Sequence, residues 1–207
     1  VPDDLRGMVL PGLVFCHSGD LRDGEAAIGR LRELGPVLDT AGPTTYAALQ
    51  TMFDPLMPPG LHHYWKGDFA RRITDERIPI YLKHGAALPT MQATIHVYPL
   101  NGAVQRVASG DTAFVHRDVG FASIIIGCTS EADRLPQVRE WARDYWQDLH
   151  PHCGAGSSVN FLMDEGQERV AMAYGDNLPR LVDLKRRYDP NNLFRINQNI
   201  PPDLRLE

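Results

Sequence analysis

The chain has little of what several common functions require. Its three cysteines, Cys16, Cys128 and Cys153, are odd in number and none stands in CxxC spacing. That speaks against a disulfide framework and against a thiolate zinc site. Cys16 and Cys128 lie inside apolar runs and are expected as buried free thiols. Basic residues number 21 against 26 acidic ones, a formal net charge of −5, and no basic cluster stands out. Nucleic acid, whose phosphates demand such a cluster, is not an expected partner. No apolar run approaches the roughly 20 residues that cross a bilayer, and no basic and apolar leader is present, so a membrane is not expected either. Neither Gly-x-Gly-x-x-Gly nor a Walker loop occurs, which leaves the chain without a phosphate cradle of its own. His62-His63 and His150-x-His152 lack a third ligand nearby, and no metal is expected.

What is present suits one packed domain. The 207 residues are 43% hydrophobic, enough to fill a core, and no repeat or low-complexity linker divides them, so a single domain over residues 1–207 is expected. Gly12 to Cys16 reads as a short strand, and Ala26, Ala27, Ile28, Leu31 and Leu34 recur at helical spacing before Gly35-Pro36. Pro43 to Gln50 reads as a short helix. His63 to Phe69 has the aromatic content of a strand, and Thr74 to Ala87 has helical composition. Gly102 to Val107 is expected to turn back as a partner strand, Phe121 to Thr129 is a buried Ile-rich strand, and Ser157 to Met163 reads as another. Between them Leu135, Val138, Trp141 or Ala142, Tyr145 and Leu149 form a helical stripe, with Asp133 as its expected N-cap and Pro136 in its first turn. A last helix runs from about Asn177 to Tyr188. Hairpin-like Gly pairs without regular crossovers point to an α+β fold, an antiparallel sheet with helices packed on one face.

Two stretches carry chemistry. Met91 to Tyr98 alternates, with Met91, Ala93, Ile95 and Val97 toward the core, and Gln92, Thr94, His96 and Tyr98 on the other face, either lining a pocket or facing water. Neutral imidazole near pH 7 can accept a proton or orient a hydroxyl, which makes His96 the most useful member. Near the C-terminus, Asp189-Pro190 closes the last helix, and Asn191-Asn192 and Asn197-Gln198-Asn199 flank a Leu193-Phe194 anchor. Asn and Gln offer both a donor and an acceptor, suited to gripping a heterocycle edge or to locking a tail in place, and the bare pattern favours locking. Lys66 can project into a pocket or snorkel, and His116-Arg117-Asp118 reads as a loop tie.

That closing run resembles the signature that ends the berberine-bridge-enzyme-like FAD-linked oxidases of the vanillyl-alcohol-oxidase superfamily. Tyr46-Ala47-Ala48-Leu49-Gln50, Tyr64-Trp65-Lys66-Gly67-Asp68-Phe69, Gly102-Ala103-Val104, Ala113-Phe114-Val115-His116-Arg117-Asp118 and Val159-Asn160-Phe161-Leu162-Met163-Asp164-Glu165-Gly166 agree with it in order. The resemblance implies the substrate-binding half of an FAD-dependent oxidoreductase, with the closing family segment at about residues 160–207. An N-terminal FAD-binding domain, absent from these residues, would be the partner, consistent with a chain that begins at Val1. A small molecule, an alcohol, sugar or secondary metabolite, would be the substrate. The implied catalytic residues are His96, Tyr98 and Ser158, with Asn160, Asn197 and Asn199 toward the flavin and Gln92, Thr94 and Lys66 toward the substrate. One position departs from the pattern: Ser158 stands where many members carry the Tyr of Tyr-x-Asn. A serine hydroxyl is too weakly acidic to replace a phenolic base, so His96 or Tyr98 takes that role or the chemistry has changed. The rival reading is a non-catalytic α+β binding module without a flavin domain. A cytoplasmic location is expected, with secretion and homo-oligomer formation left open.

Overall fold

The computed structural model describes residues 2–154 and 156–205, and residues 1, 155, 206 and 207 of the expected domain lie outside the described residues. The backbone groups into two compact units, Val1–Pro59 and Gly60–Glu207. In the first, helix α1 (Leu21–Arg32) starts where the Asp20 carboxylate accepts the Arg22 backbone N–H at 2.8 Å, an N-cap that satisfies one orphan donor. Its C-terminal end is followed by Gly35 at φ +67°, the left-handed conformation that glycine adopts without penalty. Thr45 caps the short helix α2 (Tyr46–Gln50) through the Ala48 N–H. Gly12 to Cys16 is exposed, non-strand backbone and Cys16 is an exposed thiol, which corrects both expectations. A strand needs a neighbour to accept its backbone groups, and this unit has no strand among its described residues.

The second unit is the expected α+β layer. Strands β1 (His62–Ala70), β2 (Thr94–Pro99) and β3 (Phe121–Thr129) form an antiparallel sheet in the order β1-β3-β2. Central β3 carries Ile124-Ile125-Ile126, β-branched side chains that suit a strand packed on both faces. Helix α3 (Arg77–Gly85) lies between β1 and β2, and the one-turn helix α4 (Ala103–Arg106) follows β2. Gly102 to Val107 thus forms that turn rather than a returning strand, with Gly102 at φ +61° immediately before it. Helix α5 (Leu135–Leu149) buries Val138, Ala142, Tyr145 and Leu149, the i, i+4, i+7, i+11 stripe of an amphipathic helix. Asp133 makes no cap, because its residue belongs to a 3₁₀ turn over Ala132–Arg134, and Pro136 sits in the first turn of α5.

Register and packing assign the two faces. Tyr64 and Ile125 pack with Ala142, Tyr145 and Leu149 of α5, and Ile80, Tyr81 and Ile95 join them, so one face is the helix-covered core. Burying each large apolar side chain there contributes about 1.5–3 kcal/mol. The helix comes close at Gly127, where an added Cβ would lie 2.5 Å from Val138 Cγ1. Ser157 to Met163 is not a strand: Val159–Phe161 make a 3₁₀ turn that packs on the opposite face. Helices α6 (Gln167–Tyr174) and α7 (Leu178–Tyr188) complete the unit, the former unanticipated from the sequence.

Candidate functional site

The face opposite α5 carries the candidate site. In the sheet register Gly67, Ile124 and His96 form one row, and Phe69, Ala122 and Tyr98 the next. His96 and Tyr98 are two apart on β2 and therefore share a face. Their side chains touch: His96 Nδ1 and the Tyr98 hydroxyl lie 2.7 Å apart, with the rings edge-on at 84°. Burial pushes the His96 pKa down and the Tyr98 pKa up, so both are uncharged near neutral pH. Thr94 stands on the same face beside Ile126. Gln92 does not, because β2 begins only at Thr94 and Gln92 lies in the preceding turn.

The turn over Val159–Phe161 brings the family-like segment onto this face. Gly67 is its seat: a Cβ there would stand 2.7 Å from Phe161 Cβ and 3.1 Å from Ser157 Oγ. The Phe161 ring stacks against that of Tyr98, at 6.2 Å and an interplanar angle of 29°. Ser158 is half-buried, and its carbonyl accepts the Phe161 N–H at 2.8 Å. Asn160 is exposed next to Phe161.

The C-terminal tail reaches the same segment by another route. Gln198 Nε2 donates to the carbonyls of Leu162 and Met163, both at 2.9 Å. This is the tail lock, and it uses the glutamine rather than either flanking asparagine. Upstream, the Asp189 carboxylate accepts the N–H groups of Leu193 at 2.7 Å and Phe194 at 3.0 Å, and Lys185 Nζ donates to the Phe194 carbonyl at 2.6 Å. Asn192 and Asn197 adopt φ +52° and +64°, a left-handed conformation that asparagine tolerates better than most residues. Asn199 is half-buried and its N–H donates to the Asn197 carbonyl. Leu193 and Phe194 are not an anchor: they are 74% and 78% exposed. The side-chain amides of Asn160, Asn197 and Asn199 make no hydrogen bond among the described residues, so they remain available at or near the 158–163 segment.

Lys66 is not part of this assembly. It lies opposite Ile125 in the register, on the helix-covered face, with Nζ 2.6 Å from Glu165 Oε2 and 4.6 Å from the centre of the Trp146 ring. Next to it the Asp68 carboxylate, 1% exposed, holds His150 Nδ1 at 2.8 Å and Arg169 Nη2 at 3.1 Å. Burial raises the Asp68 pKa, and the contacts with His150 and Arg169 pull it back. Sequence reasoning missed this network because its members come from β1, α6 and the turn after α5. His116 matches the loop-tie expectation in kind, resting on Phe69 at 4.9 Å and bonding the Met172 carbonyl at 3.2 Å, while Arg117 ties the Phe114 and Val104 carbonyls.

A protein family described as berberine and berberine like matches residues 158–201, the stretch that packs on Gly67 and contains the tail lock. An FAD-linked oxidoreductase of Dictyostelium discoideum is 30% identical over 193 residues, covering 90% of this chain and 41% of that protein. Over most of its length the chain is similar to berberine-bridge-enzyme-like FAD-linked oxidoreductases. Tetrahydroberberine oxidase of Berberis wilsoniae is 27% identical over 171 residues, covering 70% of this chain and 31% of that protein. The fold agrees as well. Aclacinomycin oxidoreductase matches 89% of this chain with a TM-score of 0.72 at 20% identity, over 42% of its own length. A berberine bridge enzyme variant matches 91% with a TM-score of 0.72 at 17% identity, over 45% of its own length. The chain spans less than half the length of these curated relatives.

Proposed function

We propose that this chain is the substrate-binding half of an FAD-dependent oxidoreductase that takes a hydride from an alcohol, sugar or secondary metabolite. The carrying observation is the His96–Tyr98 pair on a sheet face that also seats the berberine-like 158–163 segment. The donor set suits a flavin ring edge, since three unpartnered asparagine amides offer donors and acceptors together. It does not suit a diphosphate, for which the chain has no glycine-rich cradle, so the phosphates belong to an FAD-binding domain outside these residues. An oxidised flavin supplies the hydride acceptor when bound, and oxygen restores it.

The chain's own contribution is proton handling and orientation. In the arrangement we favour, His96 Nδ1–H donates to the Tyr98 oxygen, which leaves the lone pair of Nε2 to accept the proton of the substrate hydroxyl or amine. The depressed pKa keeps that nitrogen unprotonated at neutral pH. Thr94, beside this pair on the same strand face, orients polar substrate groups.

The test uses the full-length protein. Its absorbance should show oxidised-flavin bands, and His96→Ala should lower turnover by about 10²–10⁴-fold, the usual worth of a general base, while moving the melting temperature little. Equal losses of turnover and stability would remove His96 from the chemistry. Ser158 favours a second reading, a binding module that has lost catalysis, and a purified protein without flavin bands would support that one.

A further inference from the structure

Resting on that reading, we infer that Phe161, seated on Gly67, is a positioning residue that holds the Tyr98 ring and through it fixes the tautomer of His96. Four contacts in series carry the inference. Gly67 leaves a hollow in β1 that only a residue without a Cβ provides, since an added Cβ would meet Phe161 Cβ at 2.7 Å and Cδ2 at 3.2 Å. Phe161 fills it and packs with the Phe69, Val119 and Ala122 cluster, so its backbone cannot retreat without opening that cluster. Its ring then lies at 29° to Tyr98, 6.2 Å between centres, and the Tyr98 hydroxyl lies 2.7 Å from His96 Nδ1.

Tyr98 needs such support. It lies on edge strand β2 and is 42% exposed, and its in-register neighbour on β3 is Ala122, which offers a phenol ring little to lean on. Phe161 supplies the missing wall. The wall is itself tied, by Phe161 N–H to the Ser158 carbonyl and by Gln198 to the two carbonyls that follow Phe161. Phe161 has no polar atom in its side chain and acts only through Tyr98. The row neighbours of His96 across the sheet, Ile124 and Gly67, carry no polar side-chain atom, so Tyr98 is its polar partner there, and a phenol oxygen that accepts from Nδ1–H keeps the ring proton on Nδ1.

The experiment is ¹⁵N NMR of histidine-labelled full-length protein above the His96 titration, with His96→Gln assigning the signals. The wild-type protein should show His96 as a single Nδ1–H tautomer. Phe161→Ala should give the mixed tautomers of a free imidazole and lower kcat by about 10²-fold with a smaller change in KM, because a displaced base loses orientation rather than binding. Tyr98→Phe should give the same mixture, and Phe161→Ala added to Tyr98→Phe should change nothing further. If Phe161→Ala does not fold, Phe161→Leu, which keeps apolar volume without a flat ring, should give a partial loss of the single tautomer, and Phe161→Tyr should restore it. A His96 signal unchanged by Phe161→Ala or Phe161→Leu but altered by Tyr98→Phe overturns the positioning role and leaves the proposed function standing. A signal indifferent to Tyr98→Phe removes the His96–Tyr98 pair itself.

Discussion

Replacing Lys66 by methionine separates a structural lysine from a substrate-binding one. The side chains of Lys66 and Glu165 are 13% and 7% exposed, and their charged atoms are 2.6 Å apart. At that distance and an effective dielectric of about 20, Coulomb attraction alone is worth roughly 6 kcal/mol, much of it offset by desolvating both ions. Methionine keeps most of the stem but strands a buried carboxylate, and breaking a buried pair in that way costs about 3–5 kcal/mol. Arg169 Nε, 3.6 Å from the same oxygen, remains to compensate, which places the expected loss near the lower end, about 3 kcal/mol. For a folding unit of about 150–250 residues that corresponds to a drop of roughly 6–12 °C in melting temperature. Adding Glu165→Leu should recover most of it, because the double variant buries no unpaired ion. Denaturant midpoints and thermal scans of the two variants measure this, and turnover at a temperature where both are folded should stay within a few-fold of wild type. A Lys66→Met protein that keeps its melting temperature and loses turnover would refute the assignment and return Lys66 to the substrate pocket.

Two further outcomes follow from the same geometry. Gln198→Ala removes two hydrogen bonds at 2.9 Å and should destabilise by about 1–3 kcal/mol, with faster amide exchange over residues 158–163; exchange unchanged there would mean that the tail is held by something else. For the pH dependence, His96 is depressed below its ordinary 6.5, so the unfolded chain binds a proton in the window between the folded value and about 6.5 that the folded chain refuses. The His96 contribution to stability is therefore complete above that window and declines as pH falls through it. Turnover should likewise hold down to the depressed folded value before falling, and a profile with its acid limb at or above 6.5 would contradict a half-buried neutral imidazole.

Much of the sheet was legible because its signals are local. Phe121–Thr129 reads as a buried strand from its isoleucines alone, and the two-residue alternation of Thr94, His96 and Tyr98 against Ile95 and Val97 survives in the fold. The α5 stripe is equally plain, with Ala142 rather than Trp141 in the core because 3.6-residue spacing from Val138 selects it. Failures cluster where a distant partner decides. Ser157 to Met163 has strand-like composition, yet Gly67 offers it a hollow on the sheet face rather than an edge, and it closes into a 3₁₀ turn. Lys66 lies one residue from Gly67, but which face each takes relative to His96 depends on both being registered against β3, whose partners Ile124 and Ile125 lie far along the sequence from β1 and β2. The tail divided its amides in a way composition could not foresee, Gln198 locking the backbone while the left-handed turn at Asn197 bends it.

The departure at position 158 gains a physical reading from these contacts. The family-like pattern offers a phenol from the turn, and Ser158 withdraws it. Yet Phe161, three residues along the same turn, stacks on a phenol supplied from the sheet, that of Tyr98, whose oxygen already bonds an imidazole. On the proposed function, a serine at 158 leaves the neighbourhood of the turn with a phenol whose source is the strand rather than the residue that opens the turn, a more rigid support for orienting a base. Such an exchange makes two demands, each met by a residue that would be unremarkable alone. The strand must leave room for the turn to approach, which Gly67 does, and the turn must present a flat apolar face toward the strand, which Phe161 does.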